Sequence, residues 1–87
     1  MPTSVRMRAL IAEKFADQLA NAPPEVQRAF ARQLAHLLRD LRHPGLYAKK
    51  YDEARDLWQA RITRDWRFYF RIERDIYILE TVIAHPK

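Results

Sequence analysis

The last third of the chain alternates apolar with polar or charged residues in runs that have the two-residue period of β-strands. Three such runs lie at residues 57–63, 66–73 and 76–84. Between them stand two Arg-Asp pairs, at 64–65 and 74–75, where the chain is expected to reverse. A period of two places successive side chains on opposite faces of a sheet. The pattern therefore predicts a meander of three antiparallel strands, with one apolar face and one face that carries cations.

The middle run shows the division of faces most clearly. Its two faces carry Trp66, Phe68, Phe70 and Ile72 on one side, and Arg67, Tyr69, Arg71 and Glu73 on the other. If like faces match across the first hairpin, Arg61 lies beside Arg67. Like charges directly opposite each other destabilise a sheet, so a pair of arginines at this place suggests that both face one anion.

The register of the last strand depends on Glu80. A two-residue turn at 74–75 places Glu80 opposite Tyr69, whereas a shift by one residue would place its carboxylate among the core aromatic side chains. Burying an unpaired carboxylate is costly, and a one-residue slip moves every side chain to the other face. The first register is therefore predicted. In it the residues that face the helices are Tyr77, Leu79, Thr81 and Ile83.

The first half of the chain has the period of amphipathic helices. From about residue 9 to 22, Ile11, Phe15 and Leu19 recur every four residues, and Pro23-Pro24 ends the stretch. A second helix is predicted from about 24 to 41, before the stop signal His43-Pro44-Gly45. Residues 5–9 fit either a short edge strand or the start of the first helix, and residues 46–55 are predicted to be an irregular basic connection.

These elements predict an α+β fold, in which an N-terminal helical hairpin packs on a small, twisted antiparallel β-sheet. Residues 1–87 leave room for one domain with a small core. A formal net charge of +5 favours an anionic partner. The chain has no cysteine and three scattered histidines, so neither disulfides nor a structural metal site are expected. No apolar run approaches the roughly 20 residues needed to cross a bilayer, and a cytoplasmic protein without a membrane partner is predicted.

The chain resembles toxins of the RelE/ParE superfamily, which belong to bacterial type II toxin–antitoxin modules. The resemblance covers nearly the whole length and rests on the helical hairpin and on an ordered set of short motifs. These motifs are His43-Pro44-Gly45-Leu46, Lys49-Lys50-Tyr51, Leu57-Trp58-Gln59-Ala60-Arg61-Ile62 and Asp65-Trp66-Arg67-Phe68-Tyr69-Phe70. The spacing from Arg61 to Arg67, followed by His85 near the end of the chain, is most similar to the YoeB branch.

The resemblance implies a RelE-like microbial ribonuclease-type fold and an mRNA endoribonuclease that inhibits translation. Such an enzyme is expected to act on the ribosome and to need neither metal nor cofactor. In YoeB-like toxins the second arginine and the C-terminal histidine are catalytic, and these roles fall on Arg67 and His85. Arg61 is the candidate second cation. An arginine can hold two phosphate oxygens, and a histidine can exchange a proton near neutral pH. The implied partners are an acidic antitoxin protein and mRNA.

Four further residues are predicted to contact RNA: Lys49, Lys50, Arg71 and Tyr69. For each of them an ordinary surface or packing role is the alternative, and Arg71 has Glu80 or Glu73 as a possible ion-pair partner. Tyr47, Tyr51 and Tyr69 are the tyrosines that could stack an unpaired base. His36 and His43 are interpreted as structural.

One acidic residue of the YoeB pattern has no clear counterpart. Where the pattern has a glutamate ahead of the first sheet strand, this chain reads Ala48-Lys49-Lys50, and Asp52 or Glu53 are the nearest substitutes. Two other functions therefore remain open. One is a ParE-like inhibitor of DNA gyrase, and the other is a catalytically weakened module that only binds a partner.

Overall fold

A five-stranded sheet, covered on one face by two helices, forms the fold in the computed structural model, which describes residues 6–85. The elements in chain order are β1 (Arg8–Ile11), α1 (Glu13–Ala20), α2 (Pro24–Arg39), a 3₁₀ turn (Pro44–Leu46), β2 (Lys49–Asp52), β3 (Leu57–Thr63), β4 (Trp66–Glu73) and β5 (Ile76–Ala84). The strand order is β1-β5-β4-β3-β2. β1 runs parallel to β5, and the other neighbours are antiparallel. The predicted α+β fold is confirmed.

The three C-terminal strands have the predicted bounds, and the two Arg-Asp pairs form the turns between them. The prediction succeeded there because alternation and turn residues agree over many positions. At the second turn, Arg74 adopts a left-handed backbone with φ of 56°. Such a conformation is strained for a residue with a Cβ. The favourable pairing of β4 with β5 on either side holds this residue in place.

Two predictions about the ends of the sheet were wrong. The first helix was expected from about residue 9, but β1 occupies Arg8–Ile11 and the helix begins at Glu13. Residues 46–55 were expected to be irregular, but Lys49–Asp52 forms the edge strand β2 against β3. Both strands have only four residues. β1 pairs with β5, which is distant in sequence, and β2 pairs with the next strand β3 but contains a β-bulge. Such short strands give local periodicity too little signal to show their pairing.

The core lies between the helices and the apolar face of the sheet. Phe15 of α1, Phe30 of α2 and Phe68 of β4 contact one another, with ring centroids 5.2 to 6.3 Å apart. Phe68 and Phe70 are fully buried, which confirms the predicted apolar face of β4. This packing fixes the opposite face of the sheet, and that face carries the polar side chains.

The register of β5 was predicted wrongly beyond Leu79. Phe70 faces Leu79, but Tyr69 faces Thr81, so Glu80 is an extra residue in a β-bulge rather than the partner of Tyr69. Tyr77 and Leu79 are buried as predicted, whereas Val82 replaces the expected Thr81 and Ile83 on the helix side. The exposed fraction is 2% for Val82 and 40% for Ile83. Strict alternation was assumed, and a bulge changes the parity of every residue after it.

Candidate active site

The β-bulge at Glu80 decides which way the C-terminal histidine points. In a strand of strict alternation, residues 79 and 85 would share a face, and Leu79 is fully buried against the helices. Beyond the bulge, Ile83 is the partner of Arg67, so Ile83 and His85 belong to the polar face instead. Bulges are common beside active sites because they redirect a side chain. The bulge therefore places His85 on the same side as the arginine pair.

The polar face contains a concave cleft of about 390 Å³ near the β3–β4 turn. Its lining residues are Tyr47, Ala48, Lys49, Gln59, Arg61, Arg67 and His85. Four of the residues predicted from the sequence, Lys49, Arg61, Arg67 and His85, thus come together although they lie on three strands and the C-terminal end of β5. Two guanidinium groups, an ammonium group and an imidazole converge here, and none of the lining residues within 6–85 carries a carboxylate.

The arginine pair predicted from the pattern of faces is present, since Arg61 and Arg67 are directly opposite in the β3–β4 register. Within residues 6–85, neither side chain forms an ion pair with a carboxylate. Burial, and then the neighbouring charge of Arg61, lower the pKa of Arg67. Two cations held together without a counter-ion create a strong local positive potential. Such a site favours an anion that both can contact.

Arg67 is fixed by the backbone of its own turn. Its Nη1 atom donates to the carbonyl oxygens of Thr63 at 2.8 Å, Arg64 at 3.1 Å and Trp66 at 3.0 Å. The same turn also holds His85, whose backbone N–H donates to the carbonyl oxygen of Asp65 at 2.6 Å. One tight turn therefore positions both predicted catalytic residues, while the His85 side chain stays exposed to solvent.

Arg61 has a different environment, since it is half-buried and its Nε atom has no hydrogen-bond partner among the described residues. Its guanidinium carbon lies 4.1 Å from the centroid of the Tyr47 ring, in a cation–π contact. An unpaired buried N–H costs free energy until it finds an acceptor. Because this Nε atom is buried, any phosphate that Arg61 binds has to be held through the terminal nitrogens of its guanidinium group.

The loop that carries Tyr47 is held from two sides. The His43 ring stacks on His36 of α2 with centroids 3.8 Å apart, and its Nδ1 accepts the Gly45 N–H. A Cβ at Gly45 would lie 3.2 Å from this ring, which explains glycine at this position. Gln33 of α2 donates to the carbonyl oxygens of Gly45 at 3.0 Å and Arg61 at 2.7 Å. Gln33 thus links the loop to β3 directly behind the cleft.

Three residues predicted to contact RNA lie outside the cleft. The Lys50 Nζ atom pairs with Asp56 at 2.6 Å, and this hydrogen bond raises the Lys50 pKa. Arg71 is ion-paired with Glu80 and Glu73, as the sequence allowed. Tyr69 is only 7% exposed, and its hydroxyl accepts a hydrogen bond from Gln59 Nε2 at 2.8 Å.

The two acidic residues considered as substitutes for the missing glutamate do not reach the cleft either. Asp52 pairs with Arg55 and Glu53 pairs with Lys50, at the end of β2 away from Lys49.

Sequence reasoning also missed Gln59, which lines the cleft and donates a hydrogen bond to Tyr69. Its position opposite Tyr69 on the polar face was the available signal.

A larger groove, of about 610 Å³, lies between α1 and the end of β5. Its charged lining residues are Glu13, Lys14 and Asp17, and it contains neither an arginine nor a histidine. The smaller cleft is the better candidate site because, of these two cavities, it is the one in which arginines and a proton-exchanging imidazole converge.

Two features are absent from the part of the chain that the structure describes. No helix in residues 6–85 is long and apolar enough to cross a membrane. The same residues contain no group of three His, Cys, Asp or Glu side chains arranged to hold a metal ion.

No family model and no curated protein matches this sequence, but solved structures match its fold. A chain of the archaeal RelE–RelB complex from Pyrococcus horikoshii gives a TM-score of 0.79 at 16% identity, with 94% of this chain and 98% of that chain covered. A chain of the toxin–antitoxin complex RelBE2 from Mycobacterium tuberculosis gives 0.74 at 21% identity, covering 94% and 100%. The YoeB dimer from Staphylococcus aureus gives 0.76 at 9% identity, covering 93% and 99%. The expected RelE-like fold is confirmed.

Proposed function

We propose that this chain is the toxin of a type II toxin–antitoxin module and that it cleaves ribosome-bound mRNA in the cleft on the polar face of the sheet. The observation that carries the proposal is the convergence of Arg61, Arg67, Lys49 and His85 on a RelE-like fold. The similar structures from Pyrococcus horikoshii and Mycobacterium tuberculosis are a RelE–RelB complex and a toxin–antitoxin complex, which supports the same role here.

The cleft has the cations and the proton donor that RNA cleavage by the ribose 2′-hydroxyl requires. The hydroxyl gives up its proton to solvent water as its oxygen attacks the adjacent phosphorus atom, negative charge develops on the phosphate oxygens, and the bond to the 5′-oxygen breaks as that oxygen takes a proton. Arg67 and Arg61 stabilise the developing charge, because their guanidinium groups are fixed in advance and have no competing carboxylate among residues 6–85. His85 donates the proton to the leaving oxygen. Lys49, at the rim, binds a flanking phosphate.

The decisive experiment is to induce the protein in cells and to map the 5′ ends of mRNA. New 5′ ends inside coding regions, at fixed positions within codons, would support the nuclease. Gyrase-linked DNA breaks with intact mRNA would instead support a ParE-like function. Growth inhibition relieved by co-expression of an adjacent acidic reading frame would identify the antitoxin.

A catalytically weakened module remains the second candidate because the cleft lining contains no carboxylate. In that case the purified protein would bind its antitoxin partner tightly but leave mRNA intact. The two candidates are therefore separated by the same 5′-end mapping.

We expect the antitoxin to be acidic and its association with this chain to slow as salt is raised. The uncompensated cations Arg61 and Arg67 attract an acidic segment over a distance that salt shortens. Stopped-flow association rates from low to high salt measure this. Arg61→Gln should flatten the dependence, whereas Arg32→Gln, an exposed arginine on α2, should change it little. A flat dependence for the wild-type protein would contradict the prediction.

We expect Gln33→Leu to impair cleavage more than its effect on folding explains. The substitution removes the two hydrogen bonds that Gln33 donates to the carbonyl oxygens of Gly45 and Arg61. Their loss should cost about 1–3 kcal/mol of unfolding free energy. Gln27→Leu is a matched control, because Gln27 also lies on α2 and donates to two carbonyls, those of Ala20 and Ala22, away from the cleft.

Chemical denaturation gives the stability of both glutamine variants, and initial cleavage rates at a temperature where both are folded give the activity. Only Gln33→Leu should lower the rate, while Gln33→Glu, which loses the donor but keeps the length, should not restore it. Equal rates in the Gln33→Leu and Gln27→Leu proteins would show that Gln33 has a purely structural role.

A further inference from the structure

Tyr47 is the one tyrosine that both lines the cleft and remains exposed within the described residues. Its side chain is 63% exposed although it lies beside the arginine pair. Its backbone has a left-handed conformation with φ of 49°. This is strained for a tyrosine, and strain of this kind is kept where the surrounding structure fixes a residue at a functional site.

One face of the Tyr47 ring packs on the Arg61 guanidinium, 4.1 Å from the ring centroid. The other tyrosines of this surface are already engaged, because Tyr69 is buried and the Tyr51 ring packs against it at 5.0 Å in an edge contact. Tyr51 is also 58% exposed, yet it does not line the cleft. Exposure alone therefore does not single out Tyr47, but its place in the cleft does.

We propose that Tyr47 and Arg61 form a stacked platform that accepts one unpaired nucleobase of the RNA, next to the phosphate held by Arg67. The inference rests on the proposed nuclease function and adds its substrate geometry. Single-stranded RNA is read through bases that are splayed out and stacked on aromatic rings or guanidinium planes. Here the Arg61 guanidinium supports the ring from behind, 4.1 Å from its centroid.

Two consequences follow for the substrate. The base on the platform must be unstacked, so single-stranded RNA is cut and duplex RNA is not. A purine covers more of the ring than a pyrimidine, and stacking strength gives modest sequence preferences. The platform therefore favours a purine at one fixed position beside the cleaved bond.

The test compares four proteins: wild type, Tyr47→Phe, Tyr47→Leu and the matched control Tyr51→Leu. The control removes an equally exposed tyrosine from the same surface but outside the cleft. A reporter mRNA is cleaved in a translating cell extract, and 5′-end mapping gives both the rate and the base composition at each position around the cuts. A translating extract is chosen because the proposed toxin acts on ribosome-bound mRNA.

We expect wild type and Tyr47→Phe to show the same purine preference at one position. Tyr47→Leu should lose that preference and should cleave about tenfold to a hundredfold more slowly, which corresponds to the loss of one stacked base. Tyr51→Leu should resemble wild type. Thermal unfolding confirms that the variants are folded at the assay temperature.

The inference is overturned if Tyr47→Leu keeps the base preference, even when its rate falls, because the ring would then act only by supporting Arg61. It is also overturned if Tyr47→Leu cleaves like wild type. Failure of wild type to cleave any mRNA would overturn the proposed nuclease function and this inference together. If wild type cleaves mRNA but shows no base preference that depends on Tyr47, the inference alone is overturned.

Discussion

Arg67→Ala should abolish growth inhibition and lower mRNA cleavage on the order of a hundredfold or more, with the fold intact. The size follows from the loss of one fixed charged donor to the transition state. Arg67 suits this role because three turn carbonyls orient its guanidinium. Burial lowers the pKa of Arg67, but its side chain remains charged at every pH where the protein is folded.

The rate in a translation extract and the free energy of unfolding are measured on the same protein preparations. Arg64→Ala is the matched control, because Arg64 lies in the same turn with an exposed side chain. Arg67→Lys should also fail to restore the rate, since a lysine keeps the charge but cannot present a planar pair of donors. A folded Arg67→Ala protein that cleaves at the wild-type rate would show that the site is assigned wrongly.

The sequence predicted those parts of the fold in which several local signals agree. The strands of the C-terminal meander, their turns and the pairing of Arg61 with Arg67 followed from alternation alone. An edge strand was one of two alternatives for residues 5–9, and β1 could not be assigned because its partner β5 lies far along the chain. β2 was missed because four residues that include a bulge show little alternation. The bulge at Glu80 was missed for a related reason. Its signal lies in the packing of Val82 against the core, which no local pattern shows.

The candidate site, like the fold, could be predicted only in part from the sequence. Arg67 and His85 came from the family resemblance, and the structure brings them to one turn through the bulge. Lys50, by contrast, is indistinguishable from Lys49 in sequence, yet a carboxylate from the β2–β3 loop binds it. Tyr47 and Tyr51 are equally alike in sequence, and only the tertiary structure separates the one that stacks on Arg61.

The β-bulge at Glu80 indicates how the chain combines stability with function. A strand of strict alternation would have placed His85 on the helix side. The extra residue Glu80 avoids this and is itself stabilised by its ion pair with Arg71. The RNA contact of Arg71 stays a prediction, and in this structure its guanidinium pairs with Glu80 of the bulge and with Glu73. These ion pairs stabilise the part of β5 that directs His85 to the site.

His85→Gln should lower mRNA cleavage by roughly 10²–10⁴-fold while the free energy of unfolding changes little. Glutamine keeps a polar side chain of similar size but cannot donate a proton to a leaving oxygen. The His85 side chain is exposed, so its removal leaves no cavity. His36→Gln is the matched control. It removes an imidazole that stacks on His43 outside the cleft and should leave the pH profile of cleavage unchanged.

The pH dependence of cleavage separates a proton donor from a residue that merely binds RNA. A donor must carry its proton, so the wild-type rate should fall as the pH is raised. That alkaline decline should be absent from the slow residual rate of His85→Gln, measured in single turnover with saturating protein. If both proteins instead cleave at near-equal rates with the same profile, His85 is not the donor. With no carboxylate in the cleft lining either, the chain would then be better explained as a module that binds its antitoxin without cutting RNA.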